Sequence, residues 1–257
     1  MTQIKLYGYC TSPYVRKVGA FLMYKGLDFE FVGISPLEAA QRLAKFGGTQ
    51  VPVLEIDEEW KRDSTPIGLW LDELYPEKRL VPEDEAGRNA VLELDRWVSD
   101  RFMPSIFRGA LDAELNLDFR RVAWRLAALV SSHSPMPEEI RHNWPSVLKT
   151  AEFIQSMKPQ MNMEVDAMTN RMQLAGELVE RIGSGPFLGG RDEPGIADLS
   201  IFPQVVFGVM GGLEEKLSAA ALPPVKAWLE RVTEHLPPNP TLIPDAFVVT
   251  PLKEALA

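Results

Sequence analysis

The sequence contains a single cysteine, Cys10, among its 257 residues. One cysteine excludes both an intramolecular disulfide and a multi-cysteine zinc cluster, and we therefore expect a chain that works in a reducing compartment. The three histidines, His133, His142 and His235, do not have the spacing of metal ligands. We therefore assign no metal site.

Long apolar runs and excess positive charge are also missing. The longest uncharged stretch, residues 199–213, is shorter than the ~20 residues that a membrane-spanning helix needs. The 27 basic and 36 acidic side chains give a net charge of -9, which repels nucleic acid and anionic lipid. The start of the sequence lacks the apolar segment of a secretory signal. We expect a cytoplasmic protein without a nucleic-acid or membrane partner.

The remaining composition is that of a folded globular chain, with 46% hydrophobic and 25% charged residues. Through residue 82 the apolar periodicity alternates between strand-like and helix-like, in the order strand, helix, strand, helix, strand, strand, helix. Beyond residue 82 only helical periodicities follow. The pattern predicts an α/β domain over residues 1–82 and an all-helical domain over residues 83–257.

The pair Ser12-Pro13 stands where the first predicted strand meets the first predicted helix. Serine is a favoured helix N-cap and proline suits the first helical position. By itself the pair predicts only that a helix begins. A helix N-terminus after a strand also offers free N–H groups and a positive dipole end, which can lower a thiol pKa from about 8.5 toward 6 or 7.

Two further motifs also lie where a predicted strand or helix begins. Pro52 precedes a predicted strand and must lie at its start or edge, because proline cannot pair in a strand centre. Ser64 follows Asp63 and caps another predicted helix. Together the two helix starts could hold an anionic, peptide-like ligand at both ends.

These motifs carry a family resemblance. Residues 12–18 with Lys25-Gly26 resemble the first helix of serine-type cytosolic glutathione transferases, as in the tau and zeta classes and the bacterial etherase-like enzymes. Residues 51–54 resemble their cis-proline loop, and residues 63–67 their helix that binds the γ-glutamyl group. Residues 187–199 resemble the family's buried central helix.

The resemblance implies a thioredoxin-like, glutathione-binding domain followed by an all-α domain that forms the electrophile pocket. It implies a homodimeric, cytoplasmic detoxification enzyme that transfers alkyl or aryl groups to glutathione. Glutathione would be the co-substrate, bound by Gln50, Val51, Pro52, Asp63 and Ser64 across a cis Val51–Pro52 bond. Lys45 or Arg42 would reach the glycyl carboxylate. The second-substrate candidates are Tyr14, Phe102, Met103, Phe107 and Trp124, although buried aromatic positions usually only pack.

The residue that activates the sulfur has two candidates, Ser12 and Cys10. Counting back from Lys25-Gly26 places the activating residue of the family on Ser12. Cys10 lies two residues earlier, where a lone cysteine is usually an inert small hydrophobe. A thiolate at Cys10 would instead make the chain a thiol-disulfide oxidoreductase. A non-catalytic glutathione-fold binding module is the third hypothesis, and Tyr7 and Tyr9 are lesser donor candidates.

A methionine-rich segment, Met157 to Met172, occupies one face of a predicted helix in the second domain. We predict that this face packs in the core.

Overall fold

The computed structural model describes residues 2–112 and 117–256. Its N-terminal elements follow the predicted order of strands and helices. They are β1 (Ile4–Gly8), α1 (Pro13–Lys25), β2 (Glu30–Gly33), α2 (Ala39–Arg42), a 3-10 turn (Ala44–Phe46), β3 (Val53–Ile56), β4 (Glu59–Arg62) and α3 (Ser64–Leu74).

The four strands form one mixed sheet in the order β2-β1-β3-β4. β1 runs parallel to β2, with Gly8 opposite Gly33, and antiparallel to β3, with Tyr7 opposite Val53. β4 returns antiparallel to β3 and places Arg62 opposite Val53. The ends of β1, β2 and β4 and the start of β3 therefore lie at the same end of the sheet.

Helices follow for the rest of the chain. They are α4 (Glu85–Trp97), a π-helical segment (Val98–Phe102), α5 (Met103–Asp112), α6 (Leu117–Ser131), α7 (Glu138–His142), α8 (Trp144–Thr150), α9 (Glu152–Ser156), α10 (Ala167–Ile182), α11 (Ile196–Met210), α12 (Pro223–Thr233) and α13 (Leu252–Ala255), with short 3-10 turns at 158–160, 188–190, 218–221 and 245–247. In the ranges 2–112 and 117–256, no helix is both long enough and apolar enough to cross a membrane.

Helix α11 is the centre of the helical region and packs against α1. It is apolar over almost its whole surface, with Leu199, Ile201 and Phe202 fully buried, as expected for a helix surrounded by protein. Its N-terminus is capped by the Asp198 carboxylate, which accepts hydrogen bonds from the Gly195 N–H at 2.9 Å and the Trp228 indole N–H at 2.7 Å. Glycine at 195 has no side chain to return a bond, so only half of a capping box is present.

The methionine-rich face is exposed, contrary to the prediction that it packs in the core. Helix α10 begins only at Ala167, and Met168 and Met172 are 63% and 69% exposed. The buried positions of α10 are Asn170, Leu178 and Ile182. Of the five methionines from 157 to 172, Met161 is fully buried, outside the helix.

Gly26 ends α1 in the left-handed conformation, with φ 71° and ψ 29°, and its N–H bonds back to the last turn of the helix. We expect Gly26→Ala to lower the free energy of unfolding by about 1 kcal/mol, because a Cβ disfavours that backbone region. The added methyl would contact nothing within 4 Å, so any cost comes from the backbone.

Gly176 provides the matched control, since it lies inside α10 and an added Cβ there also has nothing within 4 Å. Gly176→Ala should raise the free energy of unfolding by ~0.5–1 kcal/mol, the helix-propensity difference. Urea unfolding of both variants measures the two changes. Equal effects of the same sign would show that the left-handed cap at Gly26 is wrong.

Candidate functional site

The three sequence motifs meet at one end of the sheet. The loop after β1 carries Ser12, the chain before β3 carries Val51 and Pro52, and the residues after β4 are Asp63 and Ser64. Because Tyr7 pairs with Val53 and Val53 pairs with Arg62, the three segments follow one another across neighbouring strands. The candidate site is this group of three segments.

Ser12 is the N-cap of α1, as predicted from the sequence. It has extended backbone angles, and its Oγ accepts a hydrogen bond from the Val15 N–H at 3.4 Å. Its own N–H donates to the Tyr9 carbonyl at 3.0 Å, which closes the loop between β1 and α1. Accepting from Val15 leaves the hydroxyl hydrogen of Ser12 for another acceptor at the positive end of α1.

The Val51–Pro52 peptide bond is cis, which confirms the prediction from the resemblance. Both residues are buried, while Gln50 before them is exposed. Pro52 lies immediately before β3 and so takes no ladder hydrogen bond from the sheet. The main chain of Val51 thus lies at the end of the sheet, beside the loop that carries Ser12.

Helix α3 begins one residue earlier than the sequence suggests. Ser64 is its first helical residue, and Asp63 is the N-cap without a side-chain capping bond. The prediction that Ser64 caps the helix is therefore wrong. Among the hydrogen bonds of the described residues, none uses the Ser64 hydroxyl, although Ser64 is only 2% exposed.

Asp63 adopts φ 69° and ψ 132°, a combination that residues other than glycine rarely take. Such backbone strain is concentrated at ligand sites, because the surrounding structure must hold it in place. The Asp63 side chain is exposed at the N-terminus of α3. The carboxylate is therefore available to a cation at this end of the sheet.

Tyr14 follows Ser12 on α1, and the charge of Asp63 acts on its phenol group. Burial, followed by the negative charges of Asp63 and Asp100, raises the pKa of the Tyr14 phenol above its usual value. Asp100 belongs to the π-helical segment after α4. The ring of Tyr14 therefore lies between the end of the sheet and the helical region, beside the candidate site.

The segment that carries this geometry is similar to a known family of domains. Residues 6–79 match the family model described as glutathione S-transferase, N-terminal domain. The matched residues include all three motifs of the candidate site.

Similarity beyond this domain is more distant. Glutathione S-transferase Z2 of Arabidopsis thaliana is 29% identical over 143 residues, covering 52% of this chain and 63% of its own length, which is less than two thirds. Beta-etherase LigF from Sphingobium sp. strain SYK-6 superposes with a TM-score of 0.58 at 20% identity, over 91% of this chain and 98% of LigF. Rice GST1, solved in complex with glutathione, gives a TM-score of 0.54 at 18% identity, over 93% and 92% of the two chains.

These structural similarities show that the chain has the glutathione transferase fold, a thioredoxin-like N-terminal unit followed by helices. Fold alone does not assign a reaction. The chemistry must come from the side chains at the candidate site.

Cys10 does not fit the role of nucleophile in this glutathione transferase fold. The residue is fully buried, and its thiol donates to the Leu129 carbonyl of α6 at 3.6 Å. Burial raises the pKa of the Cys10 thiol to about 12, against the opposing charges of Arg16 and Arg125. A thiol in these surroundings stays protonated at neutral pH, so Cys10 acts as a small hydrophobe.

The two tyrosines near the loop are also poor proton donors to a ligand. Tyr7 donates its phenol hydrogen to Glu55 at 2.5 Å and packs edge-on against Phe46. Burial raises the pKa of Tyr9 to about 12. Lys45, considered for the glycyl carboxylate, pairs with the same Glu55 at 2.8 Å, and Arg42 is exposed on α2.

Of the four helical-region residues predicted for the second substrate, two are buried and two contact other helices. Phe102 and Met103 are buried, and the ring centroids of Phe102 and Trp97 are 6.1 Å apart. Phe107 packs edge-on against Phe153 of α9. Trp124 donates its indole N–H to the carbonyl of His142, the last residue of α7, at 3.0 Å. The fifth candidate, Tyr14, lies two residues after Ser12 in the sequence.

A buried polar cluster that was not predicted from the sequence lies behind the candidate site. Lys17 of α1 is fully buried and pairs with Asp95 of α4 at 2.7 Å. Asp95 also accepts from Thr65 of α3 at 2.5 Å and from Ser200 of α11 at 3.1 Å. The cluster joins the first turn of α3, which follows Ser64, to α1 and the helical region. A lysine within an apolar helical pattern was the available signal.

Proposed function

We propose that this chain is a glutathione transferase that activates the glutathione thiol for attack on a hydrophobic electrophile. The observation that supports the proposal is the meeting of Ser12, the cis Val51–Pro52 segment and Asp63–Ser64 at one end of the sheet, two of them at helix N-termini. In this proposal residues 1–82 bind glutathione, and residues 83–257 cover the electrophile.

Each part of glutathione has a chemically matched group in this arrangement. The Ser64 hydroxyl and the N-terminal N–H groups of α3 would receive the γ-glutamyl carboxylate, and Asp63 its ammonium. The backbone of Val51 would pair with the cysteinyl unit, with Gln50 beside it. The sulfur would then lie at the N-terminus of α1.

Ser12 would donate its hydroxyl hydrogen to the sulfur, and the positive end of α1 would favour the anion. The thiol loses its proton to water and becomes a thiolate. The thiolate attacks the electrophilic carbon, so that a C–S bond forms while the bond to the leaving group breaks and its electron pair departs with that group. Tyr14 would contact the electrophile across the site.

Calorimetry with glutathione, followed by turnover with a chlorodinitrobenzene-type aryl halide, tests this function. The proposal expects both binding and a conjugate. Binding without turnover of any electrophile would favour a non-catalytic binding module. Reduction of a glutathione mixed disulfide without conjugation would favour the oxidoreductase, which requires a reactive thiol that Cys10 does not present.

We also propose that the protein is a cytoplasmic homodimer. The exposed faces of the N-terminal unit support an interface, since Trp60 on β4 and Leu74 on α3 are 39% and 46% exposed. Static light scattering at micromolar concentration should give twice the 28.8 kDa mass of the chain. A mass of 28.8 kDa under these conditions would contradict the dimer.

A further inference from the structure

Arg16 is a buried cation one helical turn after Ser12. Its side chain is inside the protein, and the residue is only 2% exposed. The guanidinium donates to the Gln204 side-chain oxygen at 2.8 Å and to the Cys10 carbonyl at 2.6 Å. It also lies over the Phe207 ring, with Cζ 3.7 Å from the ring centroid. All of these contacts are with neutral groups.

No carboxylate among residues 2–112 and 117–256 forms an ion pair with Arg16. On α11, the facing residues Gln204 and Phe207 are uncharged. On the loop between β1 and α1, the titratable group that faces Arg16 is the Cys10 thiol. The charge of Arg125 on α6 also acts on this thiol. Burial lowers the pKa of the Arg16 guanidinium to about 9, which leaves it protonated at neutral pH. The neighbouring Lys17 has its own anion, Asp95.

Burying a cation without an anion is costly, and such a charge is usually paired. The neighbouring position shows the usual solution, because Lys17 and Asp95 are both buried and paired. Arg16, in the same turn of α1, is buried without such a partner among the described residues. The unpaired positive charge of Arg16 lies next to the turn that carries Ser12. In the proposed function, this turn binds the anionic sulfur of glutathione.

Arg16 and Gln204 also hold that turn in place. Gln204 accepts from Arg16 and donates its own N–H to the Pro13 carbonyl at 2.9 Å. Arg16 binds the Cys10 carbonyl. The carbonyls that precede and follow Ser12 by one or two residues are therefore both tied to one pair of side chains, which connects the turn to α11.

We propose that Arg16 is a positioning residue whose buried positive charge, held by Gln204, stabilises the thiolate of glutathione bound at Ser12. The inference rests on the proposed function and adds a source of thiol activation besides the hydroxyl of Ser12 and the dipole of α1. At an effective dielectric constant of about 20, a unit charge on the order of 10 Å from a thiol changes the pKa of that thiol by about one unit.

The test measures the thiolate absorbance of bound glutathione against pH, with glutathione affinity measured separately by calorimetry. Arg16→Met removes the charge, and Arg16→Lys keeps it. We expect Arg16→Met to raise the thiol pKa by about one unit and Arg16→Lys to leave it within a few tenths of the wild-type value. Glutathione affinity at a pH where the thiol is protonated should change less than threefold in both variants.

A second pair of variants tests the charge without changing Arg16. Gln204→Glu places a carboxylate against the guanidinium and neutralises its charge, whereas Gln204→Met removes the hydrogen bonds of Gln204 to Arg16 and Pro13 and leaves the charge uncompensated. The thiol pKa should be higher in Gln204→Glu than in Gln204→Met. This comparison also keeps the inference testable if Arg16→Met fails to fold.

Two results would overturn the inference. The first is a folded Arg16→Met, or a Gln204→Glu, with the wild-type thiol pKa. The second is an Arg16→Lys that raises the thiol pKa as much as Arg16→Met, which would reduce Arg16 to a structural contact. A wild-type protein whose bound thiol titrates like free glutathione would instead overturn the proposed function, and this inference with it.

Discussion

Ser12→Ala should lower kcat/KM for conjugation by roughly 10- to 150-fold, which corresponds to a loss of ~1.4–3 kcal/mol of transition-state stabilisation. The loss is that of one hydrogen bond to a charged sulfur. The same change should raise the pKa of the bound thiol by about one unit, because the thiolate loses a donor while the thiol does not. Steady-state kinetics and a pH titration of the complex measure the two effects.

The affinity for glutathione should change much less in Ser12→Ala, because the contacts proposed at Val51, Asp63 and Ser64 remain. Cys10→Ala is the matched control in the same loop. Its sulfur is buried against Leu129, so conjugation should stay within a few-fold of wild type. If Cys10→Ala abolishes activity while Ser12→Ala is mild, Ser12 is not the activating residue.

Asp95→Ala should lower the free energy of unfolding by about 3–5 kcal/mol. The substitution leaves the Lys17 ammonium fully buried without its anion. It also removes the acceptor of the Thr65 hydroxyl at 2.5 Å. An uncompensated buried charge is among the few single-site changes that reach such a magnitude. Urea denaturation followed by circular dichroism measures it.

The double variant Lys17→Met with Asp95→Leu distinguishes a buried charge from lost packing. Replacing both partners by apolar side chains removes the isolated charge, so the double variant should be more stable than Asp95→Ala alone. A loss below about 1 kcal/mol in Asp95→Ala would contradict the account, because it would mean that water reaches Lys17.

The sequence predicted the local features of the first unit well, because they depend on neighbouring residues. Ser12 and Pro13 mark the start of α1, and Gly26 marks its end, through capping rules that act within one turn. The order of strands and helices followed from periodicity. The cis bond before Pro52 was predicted from the family resemblance and is present.

Long-range partners could not be predicted in the same way. Lys17 and Asp95 are 78 positions apart, and Arg16 and Gln204 are 188 apart, so no local pattern joins them. Periodicity also placed the methionines of α10 on one face without indicating what would cover it. The buried face of that helix instead includes Asn170, which accepts a hydrogen bond from Arg101 at 2.7 Å.

The position of Asp63 shows a third limit. Serine is a favoured N-cap, so capping preference alone selects Ser64. In the folded chain Asp63 takes a positive φ as the chain leaves β4, and the helix begins one residue earlier. The displacement frees the Ser64 hydroxyl from capping, which is what a ligand-binding role for that group requires.

The central claim is that the N-terminus of α1, with Ser12, holds glutathione as a thiolate. The direct measurement is the thiolate absorbance of glutathione bound to the wild-type protein, titrated from pH 5 to pH 10 under saturating protein. The account predicts a midpoint of about 6–7, compared with about 8.5 for an unperturbed thiol. A midpoint equal to that of free glutathione would contradict it.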